Sequence, residues 1–179
     1  TNIKVVSQPN GKLNKADAEA LLGTAWMSNS KFLKIKNLNL ALASFVKQND
    51  MQLIGQNSKF FNGGNDLGTL VLPEERGTTP FAFYNDCKWT TIIFPDATKD
   101  ANKAGTKIAS SAFSGDTYLK RLVIGSSVQS IATQAFLNCS NLANVEFPYG
   151  IQRVDNQAFY GCTALTTVTL PESLTEIGV

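Results

Sequence analysis

The amino-acid sequence predicts a repeat solenoid, α/β leaning to mainly β, in which short parallel strands stack coil on coil. Three observations lead there. Residues 135–148, "AFLNCSNLANVEFP", return at 158–171 as "AFYGCTALTTVTLP". Aligned on their phenylalanine, segments 108–130, 131–153 and 154–176 follow one another at equal length without a gap, and "IGV" at 177–179 opens a fourth. Further back, 82–95 "AFYNDCKWTTIIFP" and 61–73 "FNGGNDLGTLVLP" fit the same frame, so the phenylalanine column is Phe61, Phe83, Phe113, Phe136 and Phe159. Its steps are 22, 30, 23 and 23, and the polar insertion at 96–106, "DATKDANKAGT", accounts for the long one. Self-similarity at a fixed period of about 20–50 residues is the mark of stacked repeat units.

Inside each unit the pattern L-x-x-L-x-L recurs: Leu67/Leu70/Leu72, Trp89/Ile92/Phe94, Leu119/Leu122/Ile124, Leu142/Val145/Phe147 and Leu165/Val168/Leu170. Its last two positions alternate with a period of two, which predicts a short half-buried strand in every unit. Pro73, Pro95, Pro148 and Pro171 close four of these strands, since proline cannot continue a ladder, and Gly125 takes that place in the remaining unit. One such unit cannot bury its apolar side alone, so neighbours must stack around a continuous core. The expected architecture is a right-handed leucine-rich-repeat solenoid of about five 22–23-residue coils.

Residues 1–52 lose the frame and read as an N-terminal cap with a short helix and one or two degenerate coils, leaving 53–179 to the repeats. "NKADAEALLG" (14–23) predicts the helix, with Asn14 as N-cap and Gly23 as its stop. "FLKIK" (32–36) alternates as a strand, "LALASFV" (40–46) has helical spacing, and "MQL" (51–53) fits a further strand of the stack.

The pattern I-x-x-x-A-F-x-x-C-x-x-L-x-x-V-x-F/L-P resembles the BspA-like leucine-rich repeats, also called the Treponema pallidum type. The resemblance covers about 60–179, with Asp86, Asp116 and Gly64 standing where the pattern has cysteine. It implies a surface-exposed or secreted bacterial protein, with any signal or lipid anchor removed ahead of Thr1, and a role in adhesion or protein contact rather than catalysis.

Composition narrows the alternatives. Apolar residues make up 43% and charged residues 17%, which excludes a disordered or coiled-coil chain. Sixteen basic against fourteen acidic residues leave a net charge of +2, too weak to predict a nucleic-acid partner. No apolar run approaches the roughly 18 residues that span a bilayer. The chain has no histidine, and so lacks the commonest general base and the commonest metal ligand. No catalytic residue, metal site or cofactor is expected. Cys139 and Cys162 share a register on adjacent coils and read as buried thiols, a disulfide being the lesser alternative; Cys87 falls one place off the column. The phenylalanine column reads as a spine of stacked rings at the convex turn.

The candidate ligand-binding residues are those that point out of the strands: Thr91, Ile93, Arg121, Val123, Asn144, Glu146, Thr167 and Thr169. With Thr69 and Val71 they form two rows across the sheet, one beginning with an aliphatic stripe at Val71, Ile93 and Val123. Apolar stripes on protein surfaces mark contacts. Glu74 and Asp96 fall together on one rim, two carboxylates short of the six to eight oxygens that calcium prefers. The function expected is a non-catalytic recognition module at the cell surface, holding an extracellular protein or glycan. The alternative is a spacer or self-assembly domain whose partner is a copy of itself. An enzyme, or an accessory to carbohydrate processing, comes third.

Overall fold

A computed structural model describes residues 2–6, 37–42, 67–72, 88–97 and 106–179. Among the described residues ten strands follow one another: β1 (Asn2–Val6), β2 (Asn37–Leu42), β3 (Leu67–Val71), β4 (Trp89–Phe94) and β5 (Thr106–Ile108), then β6 (Arg121–Ile124), β7 (Val128–Ile131), β8 (Asn144–Glu146), β9 (Arg153–Val154) and β10 (Glu176–Ile177). They form two parallel sheets. The long sheet has the order β1-β2-β3-β4-β6-β8 and the short one β10-β9-β7-β5. From β4 to β9 each coil contributes one strand to the long sheet and then one to the short sheet, which is the architecture of a parallel-strand solenoid. No helix occurs among the described residues.

The register of the long sheet is the repeat frame made visible. Leu38 lies beside Leu70, Leu70 beside Ile92, Ile92 beside Leu122, and Leu122 beside Val145. Because side chains alternate across a strand, this register stacks every frame leucine on one side. Leu38, Leu70, Ile92 and Leu122 are all buried, and each such side chain withdrawn from water contributes about 1.5–3 kcal/mol. From the opposite wall Ile108, Ile131 and Val154 of the short sheet close the same core.

The third side of each coil is a turn that ladders without being a strand. Ser111, Gln134 and Gln157 hold φ of 54°, 59° and 56°, and Gly115, Asn138 and Gly161 hold 76°, 58° and 77°. These two left-handed positions recur once per coil. They aim alternate N–H groups at the next coil: Phe113 N–H donates to Ala135 O at 2.8 Å and Phe136 N–H to Ala158 O at 2.8 Å. Between them the rings stack. Phe113 and Phe136 lie 5.0 Å apart at 7°, and Phe136 and Phe159 lie 5.2 Å apart at 6°. That spacing is close to the separation of neighbouring strands, so the coil repeat itself fixes the stacking distance.

Two expectations change. "LALASFV" does not begin a helix: Leu40 and Ala41 belong to β2. Leu38 and Leu40, 3% and 0% exposed, alternate onto the core face, and that period of two across "NLNLAL" overrides the helical spacing. Leu165, Val168 and Leu170 do not form a strand either; Val168 is 40% and Leu170 50% exposed. The helix at 14–23, the strands at 32–36 and 51–53, and Phe61, Glu74, Phe83 and Cys87 lie outside the described residues.

Candidate recognition face

The outward side of the long sheet carries the candidate residues in the two rows that the frame predicts. Thr69, Thr91, Arg121 and Asn144 are register partners in one row; Asn39, Val71, Ile93, Val123 and Glu146 are partners in the other. Arg121, Asn144 and Glu146 are exposed. Val71, Ile93 and Val123 are half-buried rather than exposed. Side chains stacked one strand spacing apart shield their neighbours, so the stripe shows edges of its aliphatic groups to solvent.

Arg121 and Glu146 tie the two rows together. The Arg121 Nη2 and Nε groups both donate to Glu146 Oε1, at 2.7 and 3.1 Å. An exposed pair of this kind adds little to stability, about 0–1 kcal/mol, but it fixes two long side chains on the face and leaves that part of it without net charge.

Thr167 and Thr169 are exposed but do not extend the sheet. Their segment forms no ladder with β8, and a groove of about 450 Å³ is lined by the two together: Asn144, Val145, Glu146, Phe147, Thr167, Val168, Thr169 and Pro171. Four of the eight candidates, Asn144, Glu146, Thr167 and Thr169, therefore meet in one groove. Thr91, Ile93, Arg121 and Val123 lie beside it in β4 and β6. The core positions Val145, Phe147 and Val168 line it as well, and the repeat pattern gives them no sign that sets them apart from the same positions in other units.

The rim is closed by hydrogen bonds. Asp96 Oδ1 accepts from Ser126 N–H at 2.9 Å, and Ala97 N–H donates to Ser126 Oγ at 3.1 Å. Asp96 is thereby a clasp between coils. Among the described residues no cluster of three or more His, Cys, Asp or Glu side chains is placed to hold a metal, and no helix is long and apolar enough to cross a membrane.

Cys139 and Cys162 are free and buried, 0% and 8% exposed. Each thiol donates to a carbonyl of the preceding coil, Cys139 to Phe113 O at 3.1 Å and Cys162 to Phe136 O at 3.2 Å. The hydrogen bond with Cys162, burial and the neighbouring Asp116 carboxylate push the Cys139 thiol far above its ordinary range. Asp116, in the same column one coil earlier, does a different job: its Oδ1 accepts from the N–H groups of Tyr118 and Leu119 at 3.1 and 3.2 Å, closing the loop into β6.

This raised thiol makes stability depend on pH. The unfolded chain releases the Cys139 proton near pH 8.5–9, at about the ordinary thiol value, while the folded chain keeps it. Stability owed to the neutral thiol is complete below that range and declines as pH rises from there toward the folded value. Iodoacetamide at pH 8.5 should leave Cys139 unmodified in the folded chain and label it on unfolding, read by peptide mass spectrometry. Labelling at the rate of an exposed thiol would contradict this placement.

No curated protein matches the sequence. Residues 106–179 match the family described as "BspA type Leucine rich repeat region (6 copies)". Among solved structures, a leucine-rich repeat protein of T. pallidum is 32% identical over 50% of this chain and 41% of that chain, with a TM-score of 0.45. A leucine-rich repeat protein of Bacteroides ovatus is 19% identical over 66% of this chain and 46% of that chain, with a TM-score of 0.34. The chain spans less than half the length of either. Over residues 106–179 the chain is therefore similar to the BspA-type leucine-rich repeats.

Proposed function

We propose that this chain is a non-catalytic recognition module of a bacterial cell surface, holding an extracellular protein or glycan against the outward face of its long sheet. The contact is centred on Thr91, Ile93, Arg121, Val123, Asn144 and Glu146, with Thr167 and Thr169 at its edge. Residues 1–52 act as the cap of the solenoid, bringing β1 and β2 to the far end of the sheet, and 53–179 carry the repeats.

One observation supports this above the others. The register places polar and aliphatic side chains in two continuous rows, on strands whose inner faces are locked into one core. A rigid backbone spares a partner the entropy of ordering the surface it meets. Half-buried aliphatics give contact area, while the Arg121–Glu146 pair gives direction.

The experiment is binding of the chain to an array of extracellular-matrix proteins and glycans. The Ile93→Lys/Val123→Lys variant runs alongside, with Arg121→Ala as the variant least able to disturb folding. Saturable binding should fall at least about tenfold in the double variant at an unchanged melting temperature, the loss of one or more central contacts. Binding that is equal in all three proteins would remove the sheet face from the proposal. If nothing on the array binds, the self-assembly alternative stands in its place.

A further inference from the structure

Cys139 and Cys162 are placed to react with one another. The Cys162 thiol reaches back toward the coil of Cys139: its acceptor, Phe136 O at 3.2 Å, also accepts the Cys139 N–H at 3.3 Å. The two coils are tied on either side of the pair. Asn138 N–H donates to Tyr160 O at 2.7 Å just before it, and Ala164 N–H to Ser140 O at 3.2 Å just after it. Three residues upstream of each cysteine, the rings of Phe136 and Phe159 stack at 5.2 Å. The coils here are one strand spacing apart, about 5 Å, inside the roughly 4.4–6.8 Å that the Cα atoms of a disulfide span. Among the described residues no other cysteine competes, since Asp116 holds the same place one coil earlier.

The surroundings of the two thiols differ in a way that orders a reaction. Cys139 is fully enclosed and keeps its proton. Cys162 retains 8% of its surface, and the hydrogen bond between the two thiols holds it below the ordinary thiol range in spite of its burial. The thiolate is the attacking species in thiol chemistry. One member of the pair is thus suited to attack from the surface, and the other waits behind it.

We infer that Cys139 and Cys162 close a disulfide across two coils when the chain meets a disulfide-bearing oxidant, stapling the unit at 131–153 to the unit at 154–176. The Cys162 thiolate, its proton given to water, attacks one sulfur of the oxidant. A mixed disulfide forms at Cys162 and one oxidant thiolate leaves. Cys139 then gives up its proton and attacks Cys162 Sγ, and the bond from Cys162 to the oxidant breaks to release the second thiolate. The two cysteines lose two electrons together, and the oxidant's disulfide is reduced to two thiols. The inference rests on the chain's own thiols and stands apart from the recognition reading proposed above.

The test uses the full chain, fully reduced and then held in oxidised glutathione at mildly alkaline pH, with peptide mass spectrometry under non-reducing conditions. A linked Cys139–Cys162 peptide should accumulate, and the melting temperature should rise by about 5–10 °C over the reduced chain, as expected for closing a loop of this length. Cys139→Ser should halt the reaction at a stable glutathione adduct on Cys162, and Cys162→Ser should leave Cys139 unmodified. The linkage map of the native chain decides the question even where a serine variant fails to fold. Three results would each overturn the inference: both thiols still free once a small reference thiol has fully exchanged, a link to Cys87 in place of the pair, or ready addition of glutathione to Cys139 in a folded Cys162→Ser chain.

Discussion

Replacing Phe136 with alanine should lower the unfolding free energy by about 3–5 kcal/mol, measured by urea denaturation with the slope unchanged. Phe136 is fully buried and stacks on both neighbours in its column, Phe113 at 5.0 Å and Phe159 at 5.2 Å. Removing its ring deletes two coil-to-coil contacts at once. In a solenoid each coil touches only the coils beside it, so nothing more distant can close the gap. Phe159→Ala should cost less, because Phe159 is only half-buried and has a ring of its own column on one side alone among the described residues. A loss under about 1 kcal/mol for Phe136→Ala would mean that the coils collapse around the vacancy and that the column is not the spine.

The same column shows why so much of the fold was legible. A phenylalanine recurring at one fixed interval must occupy one place in a repeated coil, because no other arrangement satisfies identical neighbours in succession. The leucine positions were legible for the same reason, and their register in the long sheet is the register of the sequence alignment. The short sheet was not. Its strands are too brief for alternation to show, although Ile108, Ile131, Val154 and Ile177 stand in register once per coil and mark it. The turn was hidden too, since Ser111, Gln134 and Gln157 are unusual residues for left-handed backbone. They are held there by N–H groups aimed at the next coil, a constraint that only the stack supplies.

For the candidate site, the two rows were legible and the groove was not. Outward positions follow from period two, so Thr91, Arg121 and Asn144, and Ile93, Val123 and Glu146, were fixed once the frame was known. "LTTVTLP" has the same frame as "LANVEFP", and by pattern alone it belongs in the sheet. The difference is in what the two strands cover. Val145 and Phe147 are partly buried against the core, whereas Val168 and Leu170 keep 40% and 50% of their surface. Strand pairing goes with burial of those side chains, and 165–171 has less of it.

Gly125→Val should be the most damaging single substitution in the described part of the chain after loss of a buried ring, costing about 3 kcal/mol by overpacking. A side chain at this position collides with main-chain atoms: a Cβ built there falls under 3.0 Å from Pro95 C, Pro95 O and Phe94 O, none of which can rotate aside. The cause is the clasp that joins the two coils. Gly125 N–H donates to Phe94 O at 2.8 Å, Ser127 Oγ to Pro95 O at 2.7 Å, and Ser126 N–H to Asp96 Oδ1 at 2.9 Å, drawing 94–96 against 125–127. This is also why the position departs from the proline that ends the other strands: a proline here has no N–H to give Phe94. If the clasp sets the clash, loosening it must relieve it. Ser127→Ala in the Gly125→Val background should therefore cost less than in the native chain, with a coupling of about 0.5–1 kcal/mol in a double-mutant cycle. Strict additivity would instead place the penalty in the glycine's own backbone conformation.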